Sequence, residues 1–132
     1  MCNTYNLQRF VDAQEDCYNL VLTELNNGRK QSHWIWFIFP QQKGLGRSYY
    51  SEYYGLDGVD EAKKYLEHQL LGARLRECCK LLNAHAGNKT IEDIMGSKID
   101  VLKLKTSMKL FDTVSPNDIF AEILESFWGI SR

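Results

Sequence analysis

The sequence predicts an all-α fold, a single compact domain over residues 1–132 built from six or seven mostly short helices. Three observations point there. Apolar residues recur at steps of three and four, the period of one helix face. Ser or Thr residues followed by an acid three places on recur where such faces begin, which is how helix starts are capped. The length of 132 residues suits one core burying roughly 65–70% of the surface that the unfolded chain exposes.

The elements follow in order. Leu7, Phe10, Val11, Gln14, Tyr18, Val21, Leu22 and Leu25 form one face of a first long segment. It ends at Asn26-Asn27-Gly28, residues that adopt the left-handed conformation where helices stop. The apolar run over 34–39 suits either a strand or a short buried helix by composition. A lone strand has no ladder partner for its backbone groups, which favours helix or irregular buried chain. Gly44-Leu45-Gly46-Arg47-Ser48 reads as a connector, with Ser48 as N-cap of a turn through Tyr54 and Gly55 closing it. Val59, Ala62, Tyr65 and Leu66 mark a short amphipathic helix. Leu71, Leu75, Cys78, Cys79 and Leu82 mark another, ending near Gly87. Thr90 before Asp93, Ser97 before Asp100 and Ser115 before Pro116 are three further N-caps, each with an acid in the first turn against the helix dipole. The last two helices bury Val101, Leu104, Met108 and Phe111, then Ile119, Phe120, Ile123, Leu124 and Phe127. No internal repeat, low-complexity tract or linker interrupts the chain.

Charge and cysteine content limit the classes of partner. Sixteen Lys and Arg against 17 Asp and Glu give a net charge of −1, so no global field draws the chain to a nucleic acid polymer or an anionic membrane. The run at 34–39 is far too short to cross a bilayer, and no leader-like segment opens the chain, which sets the expected compartment as cytoplasmic. Cys2, Cys17, Cys78 and Cys79 lack the density of a secreted disulfide framework and are expected to be reduced. His33, His68 and His85 stand apart and the adjacent Cys78 and Cys79 have no second pair at ligand spacing, so neither a metal site nor another cofactor is expected.

The information is concentrated over 33–47: one histidine, two tryptophans, two phenylalanines, a proline, two glutamines and a GxGR turn. Packing accounts for Trp36, Phe37 and Phe39, because aromatic side chains bury large areas and dominate cores. His33, Trp34, Gln41 and Gln42 carry polar groups that need partners when buried, and packing explains them less well.

These residues also carry a resemblance. Gly28-Arg29-Lys30, Ser32-His33-Trp34, Trp36-Phe37-Ile38-Phe39-Pro40-Gln41 and Gly44-Leu45-Gly46-Arg47-Ser48 closely resemble the bacterial domain-of-unknown-function family numbered eighteen-ten, a mycobacterial Rv-type hypothetical-protein superfamily sometimes mislabelled calpastatin. The likeness runs from Leu7-x-Arg9-Phe10-Val11-x-Ala13-Gln14, through Tyr54-Gly55, Ala62-x-x-Tyr65-Leu66 and Leu71-Gly72-x-Arg74-Leu75-x-Glu77-Cys78, to Asp100-x-x-Lys103-Leu104-x-x-Ser107-Met108-x-Leu110-Phe111. It implies one mainly helical domain and no established activity. Two departures stand out. Thr106 replaces a second serine, which keeps a hydroxyl. Gly129-Ile130-Ser131-Arg132 stands where relatives tend to continue into a segment with an acid and a threonine, so a ligand contact made there would be missing or replaced.

Functionally, the sequence points first to a pocket for a small anionic, nucleotide-like ligand such as an ADP-ribose derivative. Trp34 or Trp36 would stack on a base. Gly44 and Gly46 would let backbone approach a phosphate, and the helix start after Ser48 would add its dipole. Arg47, Lys43, Lys103 and Lys105 would supply cations, with His33, Gln41 and Gln42 completing the lining. A hydrolase would need His33 as acid or base with Asp100 as its partner. A protein-interaction module, including a homo-oligomer, would use Tyr49, Tyr50, Tyr53 and Tyr54, since tyrosine is enriched at interfaces. The cysteine reading has a direct check: thiol counting under denaturing, non-reducing conditions should report all four groups, and finding two bridges would overturn it together with the compartment.

Overall fold

The first predicted segment is two helices, broken at Asp16-Cys17. In the computed structural model, which describes residues 5–131, α1 (Gln8–Glu15) ends at Asp16 and α2 (Tyr18–Asn27) restarts after Cys17, whose φ of −133° is not helical. The break lets one sequence stretch face two neighbours: α1 packs on α3 (Ile35–Ile38) and α2 packs on α6 (Gln69–Asn83). Gln14 sits at the junction. Its buried amide donates to the Phe37 carbonyl at 2.8 Å and to the Tyr65 hydroxyl at 3.2 Å, tying α1 to the aromatic run.

The remaining elements are α4 (Tyr49–Tyr53), α5 (Gly58–Glu67), α7 (Ile91–Met95), α8 (Lys98–Val114) and α9 (Ile119–Trp128). Among the described residues there are nine helical segments, six of them eight residues or longer, and no strand. The apolar run resolves as the four-residue α3, and one parallel bridge between Gln42 and Leu56 is the nearest approach to a sheet. The two longest helices organise the rest. α8 packs against α3, α5, α7 and α9, while α6 packs against α1, α2, α5 and α9. An aromatic file from Phe10 through Tyr65 and Phe111 to Phe120, with centroids 5.0–5.5 Å apart, runs through the centre.

Three predicted caps are present: Ser48, Thr90 and Ser97 accept from the backbone N–H of Ser51, Asp93 and Asp100. Ser115 does not cap the last helix. It ends α8 and donates its hydroxyl to Asp118, which is the true N-cap of α9. The Arg76 guanidinium beside Asp118 holds that carboxyl below the usual range, helped by the Ile119 N–H and the Ser115 hydroxyl against the effect of burial. The cap moved because Pro116 opens a turn in which Asn117 takes a φ of 63°, so the helix begins three residues later than the proline suggests. Val59, expected on the apolar face of α5, is instead exposed. Cys17, Cys78 and Cys79 are free thiols, and burial pushes Cys78 up to about 12; Cys2 lies outside the described residues. No helix among the described residues is long and apolar enough to cross a membrane.

The connection from α2 to α3 is organised by a carboxylate. Glu24 is 4% exposed and accepts from Gln31 N, Ser32 N, Ser32 Oγ and Trp34 Nε1 at 2.6–3.0 Å. Burial alone would raise its pKa, but these four donors outweigh burial and hold it below the ordinary glutamate range. A carboxyl whose folded pKa is depressed contributes stability above its unfolded pKa and loses that contribution as pH falls through the folded value. Glu24→Gln should therefore cost about 2–3 kcal/mol at neutral pH, because an amide presents a donor where an acceptor is needed. Its loss of melting temperature relative to wild type should shrink as the pH drops below about 4.3. An unchanged difference across that range, read by thermal denaturation, would show that the charge is not what the loop requires.

Candidate functional site

The segment after α3 closes on itself before it reaches α5. Lys43 N donates to Leu56 O at 2.8 Å and Leu56 N to Gln41 O at 2.9 Å, pinning the base of a loop that contains the 44–48 turn and α4. Gly55 permits this closure, since a side chain there would meet the Lys43 backbone at 2.7 Å. Arg9 of α1 clamps the far end. Its guanidinium donates to the carbonyls of Tyr53 and Gly55 and pairs with Glu61 at 2.9 Å. The loop is thus closed at its base and fastened at its C-terminal end by a group distant in sequence.

A polar cluster forms where this loop meets α8. Thr106 Oγ1 donates to the Lys103 carbonyl at 3.0 Å and so must accept from Gln41 Nε2, at 2.7 Å. That fixes the amide of Gln41 with its oxygen toward Lys103. The Lys103 ammonium donates to Gln41 Oε1 at 3.4 Å and to Ser51 Oγ at 3.3 Å. Both contacts are long, since charge-assisted bonds normally run at about 2.7–2.9 Å. No carboxylate of the described residues lies within salt-bridge distance of Lys103. Gly46 sits against the cluster: a Cβ there would overlap the Ser51 side chain at 2.6 Å and approach Lys103 Nζ at 3.4 Å. Gly44 has a φ of +93°, which a residue with a side chain rarely adopts.

The other predicted site residues divide. Arg47 is exposed and, among the described residues, makes no ion pair or side-chain hydrogen bond. Ser48 caps α4 by accepting from Ser51 N, and its hydroxyl also bonds Ser51 Oγ at 3.0 Å. A five-residue helix with its cap so occupied is not the dipole site expected of it. Gln42 contributes backbone to the bridge with Leu56 and exposes its side chain. Trp34 is 1% exposed with its N–H on Glu24, so it anchors the core and presents no face for stacking. Trp36 is half-buried, and the Tyr50 ring packs on it with centroids 4.9 Å apart.

His33 and Asp100 lie elsewhere. They line a cleft of about 310 Å³ with Lys30, Ser32, Ser97 and Gly96, which none of residues 41–48 lines. Asp100 is committed to Lys30 at 2.7 Å, and Lys30 also lies 5.1 Å from the Trp34 ring centroid. The single pocket joining His33, Trp34 and Gln41 to the 44–48 turn is therefore two neighbouring regions, one turn apart along α8 at Asp100 and Lys103. Among the described residues no group of His, Cys, Asp and Glu side chains gathers at metal-ligand range. Ser51 and Arg9 escaped the sequence reading. The Ser48-x-x-Ser51 spacing was a usable signal for the first, whereas nothing local marks the second.

Comparison with known proteins agrees with this architecture. The chain is similar to the conserved hypothetical protein Rv1873 from Mycobacterium tuberculosis, whose crystal structure superposes with a TM-score of 0.91 at 44% identity, over 96% of this chain and 90% of that one. No curated protein matches. The family described as "Protein of unknown function (DUF1810)" matches residues 4–132, and the chain belongs to that family.

Proposed function

We propose that the protein binds a small anionic, nucleotide-like ligand, an ADP-ribose derivative being a member of that class, through a phosphate seated between the 44–48 turn and Lys103. One observation carries the reading. Lys103 is a partly buried ammonium that makes two long bonds to neutral acceptors and, among the described residues, no ion pair with a carboxylate. Lys30, one helical turn away at Asp100, shows what this fold does with a satisfied lysine: a 2.7 Å ion pair. A phosphate oxygen would replace the weak Ser51 contact with a short charge-assisted bond, while Arg47 closes from the exposed side with its two-pronged donor set. Gly46 keeps the backbone close enough for both cations to reach one anion, and Gln41, oriented by Thr106, fixes the ammonium from behind.

Binding without turnover is the reading the geometry favours. The hydrolase alternative needs His33 activated by Asp100, and that carboxylate is engaged by Lys30 in a separate cleft. A cytoplasmic setting fits a ligand of this class and the free thiols of the core.

Arg47→Ala should weaken binding of ADP-ribose or inorganic pyrophosphate by about 1.5–3 kcal/mol, tenfold to a hundredfold, with an unchanged melting temperature. Lys103→Met, which keeps the length of the stem and removes the charge, should lower affinity at least as much. Calorimetry over a panel of nucleotides, sugar phosphates and polyphosphates decides: no heat with the wild type across the panel, or an Arg47→Ala variant that binds its hit as well as wild type does, would sink the phosphate role of this loop.

A further inference from the structure

The four tyrosines of the 49–54 stretch do more than cover the loop. Spaced at i, i+1, i+4 and i+5, they stand as a two-by-two array. Tyr49 and Tyr53 stack with planes 8° apart and centroids at 5.8 Å; Tyr50 and Tyr54 stack at 12° and 6.4 Å. Edge contacts at 5.5 and 4.8 Å lock the columns together. The inner column rests on the core, Tyr50 against Trp36 and Tyr54 against Phe37 and Phe10. The outer column faces solvent, with Tyr49 71% and Tyr53 43% exposed, and Tyr50 of the inner column is itself 50% exposed. Five residues of helix thus hold exposed aromatic faces in fixed orientation, backed by buried rings and by the Arg9 clamp on the Tyr53 carbonyl. Solvated tyrosines with no task would be free rotors.

We infer that the outer face of this array, Tyr49 with Tyr53, is the stacking platform for the base of the ligand, and that the ligand class is therefore a nucleotide rather than a simple sugar phosphate or polyphosphate. The inference rests on the phosphate reading of the 44–48 turn. Two features choose this occupant. Arg47 lies two residues before Tyr49, so one bound molecule can touch both with its two ends. The local charge is also complementary to a phosphate: Lys43 and Arg47 from the loop and Lys103 from α8 outnumber the single acid of α4, Glu52, and none of the three cations forms an ion pair among the described residues. An aromatic face offers every base a π-surface, so the platform is tolerant of base identity. It also takes over the task that the sequence assigned to Trp34 and Trp36, one buried and the other covered by Tyr50.

The test compares the four nucleoside monophosphates AMP, GMP, CMP and UMP with ribose 5-phosphate, which lacks only the base, on wild type, Tyr49→Ala and Tyr49→Phe. At least one nucleotide should bind wild type about tenfold or more tighter than ribose 5-phosphate, and Tyr49→Ala should remove that advantage while leaving ribose 5-phosphate binding within about twofold. Tyr49→Phe, which keeps the ring, should retain it. Tyr49 is surface-exposed, so melting temperature should not move. If nucleotides and ribose 5-phosphate bind wild type equally, the platform is wrong and the phosphate reading stands. If none of the five binds, the platform is wrong, and the phosphate reading stands or falls on the ADP-ribose and pyrophosphate titrations. A wild type that sediments as a dimer, with Tyr49→Ala monomeric, would assign the array to a second copy of the chain and overturn the inference.

Discussion

Four donors converge on Glu24, and the arrangement of the whole candidate region depends on that convergence. A carboxylate at 4% exposure is a costly thing to bury. It is tolerable here because the backbone of residues 31 and 32, a serine hydroxyl and the Trp34 indole supply four bonds in place of water, three to Oε1 and one to Oε2. The reverse dependence holds as well. Residues 29–34 form no helix, so their N–H groups have no regular partners: the Glu24 carboxylate satisfies those of Gln31 and Ser32, while Arg29 N donates to the Glu24 carbonyl and Lys30 N to the Ile94 carbonyl. With Trp34 anchored, α3 has a fixed start, Pro40 and Gln41 emerge at a fixed place, and Gln41 meets Thr106 and Lys103 on α8. Shifting the Trp34 anchor would displace the amide that orients the lysine.

The same logic explains what the sequence revealed and what it withheld. Caps are local: Ser48, Thr90 and Ser97 each need only a backbone N–H three residues on, so spacing alone exposed them. Ser115 failed as a cap because the choice between it and Asp118 turns on Arg76, 42 residues from Asp118 in sequence, which rewards the carboxylate with a 2.9 Å ion pair. The split between α1 and α2 was hidden for a related reason. Both halves keep an apolar period, and only the positions of α3 and α6 decide that the two faces point to different neighbours.

At the site, residue types were legible and pairings were not. Gln41, Gly46 and Lys103 stood out by type and lie against one another through Ser51, because one glycine permits an approach that any side chain would block, whereas the Arg47 side chain is exposed. His33 and Trp34 stood out equally and part company. A tryptophan beside a histidine has a nonpolar ring and one donor, and a buried acid ten residues earlier claimed the donor while the core claimed the ring. Glu24 itself, in the middle of an amphipathic helix, reads as one more solvated acid. Nothing in composition separates an acid that faces water from one that faces four donors.

The contrast between Lys30 and Lys103 carries the functional argument furthest. Both lysines meet α8, both are partly withdrawn from solvent, and the same fold had the means to pair each. At Lys30 it did so with Asp100 at 2.7 Å, which leaves little electrostatic incentive for an added anion. At Lys103 it placed an amide and a hydroxyl at 3.4 and 3.3 Å, acceptors that hold the ammonium in position without neutralising it. Under the proposed function, an ammonium oriented but not compensated can receive an anion without first giving up a counter-ion, a displacement that would cost several kcal/mol. Thr106 belongs to this design. Its hydroxyl is spent on the Lys103 carbonyl, which turns its remaining lone pair to Gln41 and so turns the Gln41 oxygen to the lysine. A serine would serve the same purpose, which is why the replacement of a serine by Thr106 leaves the hydrogen-bond chain intact.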